Sequence, residues 1–182
     1  MIPLSVEDVG PVALARMLRD GVVAHLAPGY GMPLDLPVSP ESRARALSPV
    51  VPAHTVVSGL AGLWVRHGGP VPPVVDLVGA RGLHRAKPGA DAKGWTLVFH
   101  SGRAASEPRD VFATLAVANS ERCAADALRW RSLGAAMDAV YRAVRSGQVD
   151  CAATQALVNG DDARGLGAAR VRSAWEALMA AL

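Results

Sequence analysis

The sequence predicts an α+β protein in which a small antiparallel or mixed sheet of about four strands is followed by a C-terminal helical subdomain. Strand-like segments fill residues 74–117, and the Gly- and Pro-containing links between them are too short for the crossovers of a parallel sheet. A cap signal at Asn119 and Ser120 then starts an alanine-rich helix, and helical spacing of apolar residues continues to the C-terminus. A helix and a hairpin precede the sheet and complete the predicted order.

Residues 1–34 predict a partial winged-helix-like segment. Apolar residues recur near helical spacing over 12–20, and Gly21 is a suitable stop. Residues 22–26 then alternate as a strand does, and turn residues over 27–33 precede a return strand. In a winged helix, such a helix enters the major groove of DNA while the hairpin touches phosphates. The expected nucleic-acid contacts are Arg16, Arg19, His25 and Tyr30.

A Pro-rich linker is predicted at residues 35–53, where at most a brief helical turn is expected. A short helix is predicted next, within 54–65, because apolar residues there recur at every third or fourth position. The main domain covers 54–182, with a sheet part at 54–118 and a helical part at 119–182.

The strands of the sheet are predicted at 74–78, 82–86, 95–100 and about 111–117. Four helices are predicted after them, from residue 119, over 133–147, from Asp150 to Leu157, and over 167–182. The second of these helices carries an apolar stripe of Leu133, Met137, Val140, Tyr141 and Val144. In the first helix, Arg122 and Asp126 lie four residues apart and share one face. We expect these two side chains to form an internal ion pair between the helical subdomain and the sheet.

The chain has a formal net charge of +3 and a pI near 9.3, which permits a nucleic-acid partner without requiring one. Residues 49–118 carry net +3, whereas residues 1–48 carry net −1. The basic residues singled out in the middle segment are Arg81, Arg85, Lys87, Lys93 and Arg103. They predict a nucleic-acid patch, an ordinary solvated hairpin, or a surface for an acidic protein partner. The acidic first segment also allows its helix and hairpin to pack on the main domain without touching DNA.

With 182 residues, of which 51% are hydrophobic, the chain is long enough for one main domain with a core. Cys123 and Cys151 lie in helical contexts without metal-like neighbours, so both are expected to be small buried hydrophobes of a reduced, cytoplasmic protein. The N-terminus lacks the features of a secretory signal, and no apolar stretch approaches membrane-spanning length. We therefore expect no membrane partner.

No catalytic, metal or cofactor site is predicted. The five histidines are scattered singly, and neither they nor the cysteines have zinc-type spacing. The glycines of 79–82 and 165–167 lack the Lys-Ser/Thr pair of a phosphate loop. Asp161 and Asp162 are adjacent in a turn, which suits a helix cap or a solvated surface more than metal binding. The protein is therefore predicted to be non-enzymatic.

Several segments carry a family resemblance through their order along the chain. They are Asp-Gly-Val-Val at 20–23, Val-Val-Pro-Ala-His-Thr-Val-Val-Ser-Gly-Leu-Ala at 50–61, Val-Asp-Leu-Val at 75–78, Gly-Leu-His-Arg at 82–85, Val-Ala-Asn-Ser-Glu-Arg-Cys-Ala-Ala-Asp at 117–126 and Gly-Leu-Gly-Ala-Ala-Arg-Val-Arg at 165–172. In this order they resemble the AbiEi-like antitoxins of type IV toxin–antitoxin systems. The best matches are Ser120-Glu-Arg with Asp126, and the run at 165–172.

The resemblance implies a winged-helix DNA-binding module joined to an α/β antitoxin domain. Such a protein represses its own promoter and counteracts a nucleotidyltransferase-like toxin without forming a stable complex with it. This chain departs from the pattern, because its N-terminal module is reduced to one helix and a hairpin. Two hypotheses follow: a non-enzymatic antitoxin or transcriptional regulator that contacts DNA through its basic residues, or a protein-interaction module of the same fold that has lost DNA binding.

Overall fold

The computed structural model describes residues 2–79, 94–101, 109–160 and 167–182, which form a mixed α/β fold. The strands are β1 (Leu4–Ser5), β2 (Val23–Ala27), β3 (Tyr30–Pro33), β4 (Thr55–Ser58), β5 (Val74–Gly79), β6 (Thr96–Ser101), β7 (Arg109–Phe112) and β8 (Leu115–Ala118). The helices are α1 (Val6–Val9), α2 (Pro11–Arg19), α3 (Pro40–Leu47), α4 (Gly59–His67), α5 (Ser120–Trp130), α6 (Leu133–Arg145), α7 (Cys151–Asn159) and α8 (Ala168–Ala180), with a short 3-10 turn at Ser48–Val50. A three-stranded sheet has the order β1-β3-β2, and a five-stranded sheet has the order β6-β5-β4-β8-β7. The predicted α+β fold with a small mixed sheet and C-terminal helices is confirmed.

The N-terminal module, residues 4–33, consists of the three-stranded sheet with α1 and α2. Ser5 caps α1 through a capping box with Asp8, and Pro11 starts α2 directly after Gly10. All strand pairs in this sheet are antiparallel, with β3 in the centre. The predicted helix, strand, turn and return strand are present. The structure adds β1 and α1, which periodicity missed because they contain two and four residues.

The segment predicted as a Pro-rich linker contains the packed helix α3. Ser39 caps this helix through a capping box with Ser42, and Pro40 takes its first position. A proline that suggested a linker therefore starts a helix here. Ala44 and Leu47 are fully buried. The expectation of at most a brief helical turn in 35–53 is wrong.

Arg43 fastens α3 to the C-terminal end of α4. Its buried guanidinium donates hydrogen bonds to the backbone carbonyls of Val65, Val38 and Arg66 at 3.0, 3.2 and 3.2 Å. Burial lowers the pKa of Arg43, and the nearby Glu41 partly offsets this effect. Two of the three carbonyls belong to the last turn of α4, where backbone acceptors have no partner within the helix.

The segment 54–65, predicted as a short helix, begins with a strand instead. Thr55, Val56 and Val57 form β4, because β-branched side chains favour extended backbone. Gly59, whose φ is 61°, then turns the chain into α4. Helical periodicity therefore identified only the second half of this segment.

The five-stranded sheet is mixed. Strand β4 pairs antiparallel with β5 and parallel with β8, while β5 pairs parallel with β6 and β7 antiparallel with β8. The argument from short links fails for β5 and β6, because residues 80–95 separate them and about a dozen residues suffice for a crossover. The predicted strand at 82–86 lies outside the described residues. The predicted strand at 111–117 is two strands, joined at Ala113 and Thr114.

The described part of the chain after residue 118 contains four helices, as predicted, and Asn119 caps the first by accepting a hydrogen bond from the Arg122 amide at 2.9 Å. The predicted apolar stripe of α6 is confirmed at Val140, which is fully buried, and at Met137 and Val144, which pack against the core, but not at its other two residues. Leu133 and Tyr141 are 49% and 36% exposed, whereas the buried face of α6 is formed by Ala136, Val140 and Ala143. Close packing of α6 against α4 and α5 favours these smaller side chains.

One hydrophobic cluster runs through the described residues, from Leu26 and Met32 of the N-terminal module to Trp175 of α8. Helix α5 lies at its centre and packs against α4, α6, α7 and α8. Within the described residues, no helix is both long enough and apolar enough to span a bilayer.

Candidate functional site

The outward face of α2 carries the two arginines predicted to contact nucleic acid. Val12, Arg16 and Arg19 follow one another at helical spacing, and all three are exposed. Arg19 Nε lies 3.0 Å from Asp20 Oδ1, and both side chains are largely exposed. Such a surface ion pair contributes little to stability and is readily exchanged for another partner. Arg16 and Arg19 are therefore placed where a ligand can reach them.

The hairpin after α2 presents only one of its two predicted contacts. His25 is exposed on β2. Tyr30, by contrast, begins β3 with 8% exposure and lies in the hydrophobic cluster. The expectation that Tyr30 contacts nucleic acid at the surface is wrong, because burial of a large aromatic ring stabilises the module more than exposure does.

The basic residues of the middle segment were also predicted to contact nucleic acid. Arg81, Arg85, Lys87, Lys93 and Arg103 all lie outside the described residues. Their role in nucleic-acid binding therefore stays a prediction.

Arg122 and Asp126 form the expected ion pair in the interior. Arg122 Nε donates to Asp126 Oδ2 at 3.0 Å, and the two side chains are 4% and 0% exposed. The Ser58 hydroxyl at the end of β4 donates to the same carboxylate oxygen at 2.7 Å. This contact connects α5 to the sheet, as predicted, although no local pattern identified Ser58 as the partner.

The environment of this ion pair suits a structural role. Burial raises the pKa of the Asp126 carboxyl, and the Arg122 guanidinium offsets part of that effect. The neighbouring Cys123 thiol is completely buried and donates to the Ala118 carbonyl at 3.4 Å. Burial raises the pKa of Cys123 to about 12, so this thiol is not a nucleophile at neutral pH.

A second buried carboxylate, which the sequence analysis did not single out, lies at the centre of β5. Asp76 is fully buried, and its Oδ1 lies 2.8 Å from His100 Nε2 and 2.8 Å from Arg131 Nη2. The His100 ring stacks on Trp130 with a centroid distance of 3.6 Å and an interplanar angle of 3°. A charged residue in the middle of the apolar run 74–78 was the signal that could have revealed this cluster.

The position of Asp76 accounts for the presence of glycine at residue 59, the first residue of α4. The register partner of Asp76 in β4 is Ser58, and the Cβ of any larger residue at position 59 would lie 2.7 Å from Asp76 Oδ2. Among the described residues, Asp76 Oδ2 has no hydrogen-bond partner, and it lies close to Gly59 in the first turn of α4, where the helix dipole is positive. Both buried carboxylates thus flank the junction of β4 and α4, where each is paired with an arginine of the helical subdomain.

His67 lies half-buried at the end of α4, with its Nε2 atom 2.8 Å from the Ser120 hydroxyl oxygen. Burial lowers the pKa of His67, and the positive charges of Arg66 and Arg43 lower it further. The imidazole is therefore uncharged at neutral pH.

This shift predicts an acid-dependent loss of stability. Because the folded pKa of His67 lies below the unfolded value of about 6.5, the unfolded chain takes up the proton first. The contribution of uncharged His67 to the free energy of unfolding is complete above about pH 6.5. It is lost as the pH falls through the folded pKa. In urea denaturation from about pH 5 to pH 8, we expect His67→Gln to lose less stability on acidification than the wild type. The slopes of unfolding free energy against pH for the two proteins should differ by less than about 1.4 kcal/mol per pH unit, which is the limit for uptake of one proton. The difference stays below this limit because the His67 ring is partly solvated.

The matched control is His25→Gln, which removes an exposed histidine from β2. This variant should follow the wild-type pH dependence. Equal slopes for His67→Gln and the wild type would contradict the assignment to His67.

Among the described residues, no group of three or more His, Cys, Asp or Glu side chains is arranged to hold a metal ion. Comparison of the chain with protein-family models finds no match. Comparison with curated proteins also finds no match. The resemblance to AbiEi-like antitoxins therefore stays a prediction.

Proposed function

We propose that this protein is a non-enzymatic DNA-binding regulator of the AbiEi-like antitoxin type, which contacts DNA through the exposed face of α2. The observation that carries the proposal is the architecture of the N-terminal module. Two helices separated by Gly10 are followed by an antiparallel hairpin, and Arg16 and Arg19 project from the second helix. A second helix of this kind is the element that enters the major groove in helix-turn-helix proteins.

The residue types on α2 suit such a role. An arginine can donate two hydrogen bonds to guanine in the major groove, and an apolar side chain such as Val12 can contact the thymine methyl group. The imidazole of His25 on the adjacent hairpin is exposed and available for phosphate contacts. The proposal requires no cofactor and no membrane, and it assigns the protein to the cytoplasm.

The first experiment measures DNA binding by fluorescence anisotropy, with duplexes from the region upstream of the protein's own gene. We expect the double charge reversal Arg16→Glu and Arg19→Glu to weaken binding about tenfold or more, because both groups would then repel the phosphates. Arg142→Glu with Arg145→Glu is the matched control, since it reverses two exposed charges at the same spacing on α6, outside the N-terminal module. We expect the control to bind as the wild type does.

The same assay tests the basic run of the middle segment. Charge reversal of Arg81, Arg85 and Lys87 should weaken binding at low salt if these residues reach the DNA backbone. Absence of binding by the wild-type protein at low salt would contradict the proposal. Equal losses in the α2 and α6 variants would show that only net charge matters.

A protein-interaction role without DNA binding is the second candidate. The N-terminal part of the chain exposes several apolar side chains, and residues 1–48 carry net −1. These side chains are Ile2 at 72%, Val12 at 73%, Val22 at 59% and Leu34 at 64% exposure. Exposed apolar groups on an acidic module favour a protein surface over a polyanion. Co-purification with the product of an adjacent gene, together with no DNA binding, would support this candidate.

A further inference from the structure

A cleft of about 350 Å³ lies between α4, α6 and the segment 68–73 that leads to β5. Its walls are mainly apolar and include Leu60, Leu63, Val71 and Ala139. Trp64 lies at its base and is held by a tilted contact with Trp95, with ring centroids 5.7 Å apart. Cavities of this size and character bind small molecules in many proteins.

His67 is the polar group best placed to orient a ligand in this cleft. Its Nε2 atom is engaged with the Ser120 hydroxyl, whereas Nδ1 forms no hydrogen bond with any described residue. The uncharged imidazole can therefore offer Nδ1 to a ligand, as acceptor or donor according to its tautomer. A polar side chain that has no protein partner among the described residues for one of its ring nitrogens gains from a ligand that supplies one.

The charged groups at the rim neutralise each other. Arg142 donates to Asp138 one turn earlier on α6, and both side chains are about half exposed. A charged ligand would have to compete with this ion pair, whereas an uncharged ligand would leave it intact. The electrostatics of the cleft therefore favour a neutral molecule.

We propose that this cleft binds a small, uncharged heteroaromatic molecule that contacts its apolar walls and whose ring nitrogen is hydrogen-bonded to the imidazole of His67. The volume lies near the lower end of the range for small-molecule sites, which limits the ligand to one or two fused rings. The cleft is separate from the exposed face of α2, so small-molecule binding in the cleft can be tested independently of DNA binding.

Indole and quinoline are suitable probes, because their ring nitrogens differ in being a hydrogen-bond donor and an acceptor. In a titration of ¹⁵N-labelled protein followed by amide chemical shifts, we expect at least one probe to saturate with a Kd below about 1 mM. The shifts should concentrate in residues 60–73 and 135–148. Failure of both probes to saturate, or shifts spread evenly over the chain, would overturn the proposal.

Ala139→Trp fills the cleft and should weaken probe binding at least tenfold. Ala152→Trp is the matched control, since it places the same ring on the exposed face of α7, outside the cleft. If the amide spectrum of Ala139→Trp shows a loss of fold, Ala135→Trp at the more exposed rim takes its place. Unchanged binding by a folded cleft-filling variant would refute the site.

His67→Phe separates shape from hydrogen bonding, because it keeps an aromatic ring and removes both ring nitrogens. We expect about fivefold weaker binding or more, as one hydrogen bond to the ligand is lost. Equal affinities of His67→Phe and the wild type would overturn the assigned orientation of the ligand.

Discussion

Asp126→Ala is expected to lower the free energy of unfolding by about 3–5 kcal/mol. The substitution leaves the Arg122 guanidinium, which is 4% exposed, without its carboxylate partner in the interior. It also removes the acceptor of the Ser58 hydroxyl. Breaking one side of a buried ion pair is costly because the remaining buried charge loses its counter-charge. Urea denaturation followed by circular dichroism measures the effect.

An exposed pair with the same spacing provides the control. Asp138 and Arg142 are also four residues apart on a helix, but their side chains are 64% and 47% exposed. Asp138→Ala should therefore change stability by about 0.5 kcal/mol or less. A cost for Asp126→Ala no larger than that of Asp138→Ala would contradict the buried-pair interpretation.

The role of Arg122 can be separated from ligand binding. We expect Arg122→Ala to lower the melting temperature and to leave the DNA affinity of the folded fraction unchanged. Replacing both partners, as Arg122→Met with Asp126→Leu, should recover part of the lost stability, because apolar side chains of similar volume need no counter-charge in the interior. A stable Arg122→Ala variant without DNA binding would instead assign this arginine to an interface.

Gly62→Ala is expected to cost about 1–3 kcal/mol, although alanine is normally the better helix former. A Cβ at position 62 of α4 would lie 2.3 Å from Cys123 Sγ of α5. Both helices lie in the core, so relief of this overlap requires displacement of one helix or a strained side chain. Thermal and urea denaturation of the purified variant measure the loss.

Gly134→Ala is the matched control for this substitution. It lies in α6 with no atom within 4 Å of the added Cβ. We therefore expect unchanged or slightly increased stability, by about 0.5–1 kcal/mol. Adding Cys123→Ala to Gly62→Ala should recover part of the loss, since it removes the sulfur that overlaps. Additive effects of the two substitutions would show that the close approach does not limit packing there.

Local signals predicted much of the fold. Asn119 is the cap of α5 because its side chain satisfies a free amide of the first turn, a property that the sequence displays directly. Pro40 shows how such a signal can mislead, because proline suits both linkers and first helical positions. The boundary between β4 and α4 was missed since the β-branched preference of residues 55–57 competes with the helical spacing of the next turn.

Buried ion pairs were predicted from the sequence only where the two charged residues are close along the chain. Arg122 and Asp126 lie one turn apart, so helical geometry alone brings them together. Asp76, His100 and Arg131 meet through the register of β5 with β6 and the packing of α5, which no local pattern specifies. The prediction of a surface position for Tyr30 was wrong for a related reason. The burial of Tyr30 depends on the packing of the N-terminal module against the rest of the core.

The attachment of the N-terminal module limits how this protein can change during evolution. Leu26 and Met32 share a hydrophobic cluster with Trp175, and β2 packs against α3, whose Arg43 binds the end of α4. Deletion of the module would expose apolar surface on the remaining chain, and its exchange for another module would require matching changes in α3 and α4. Surface substitutions on α2 carry no such cost. A lineage could therefore lose or alter a specificity at α2 far more easily than it could discard or swap the whole module.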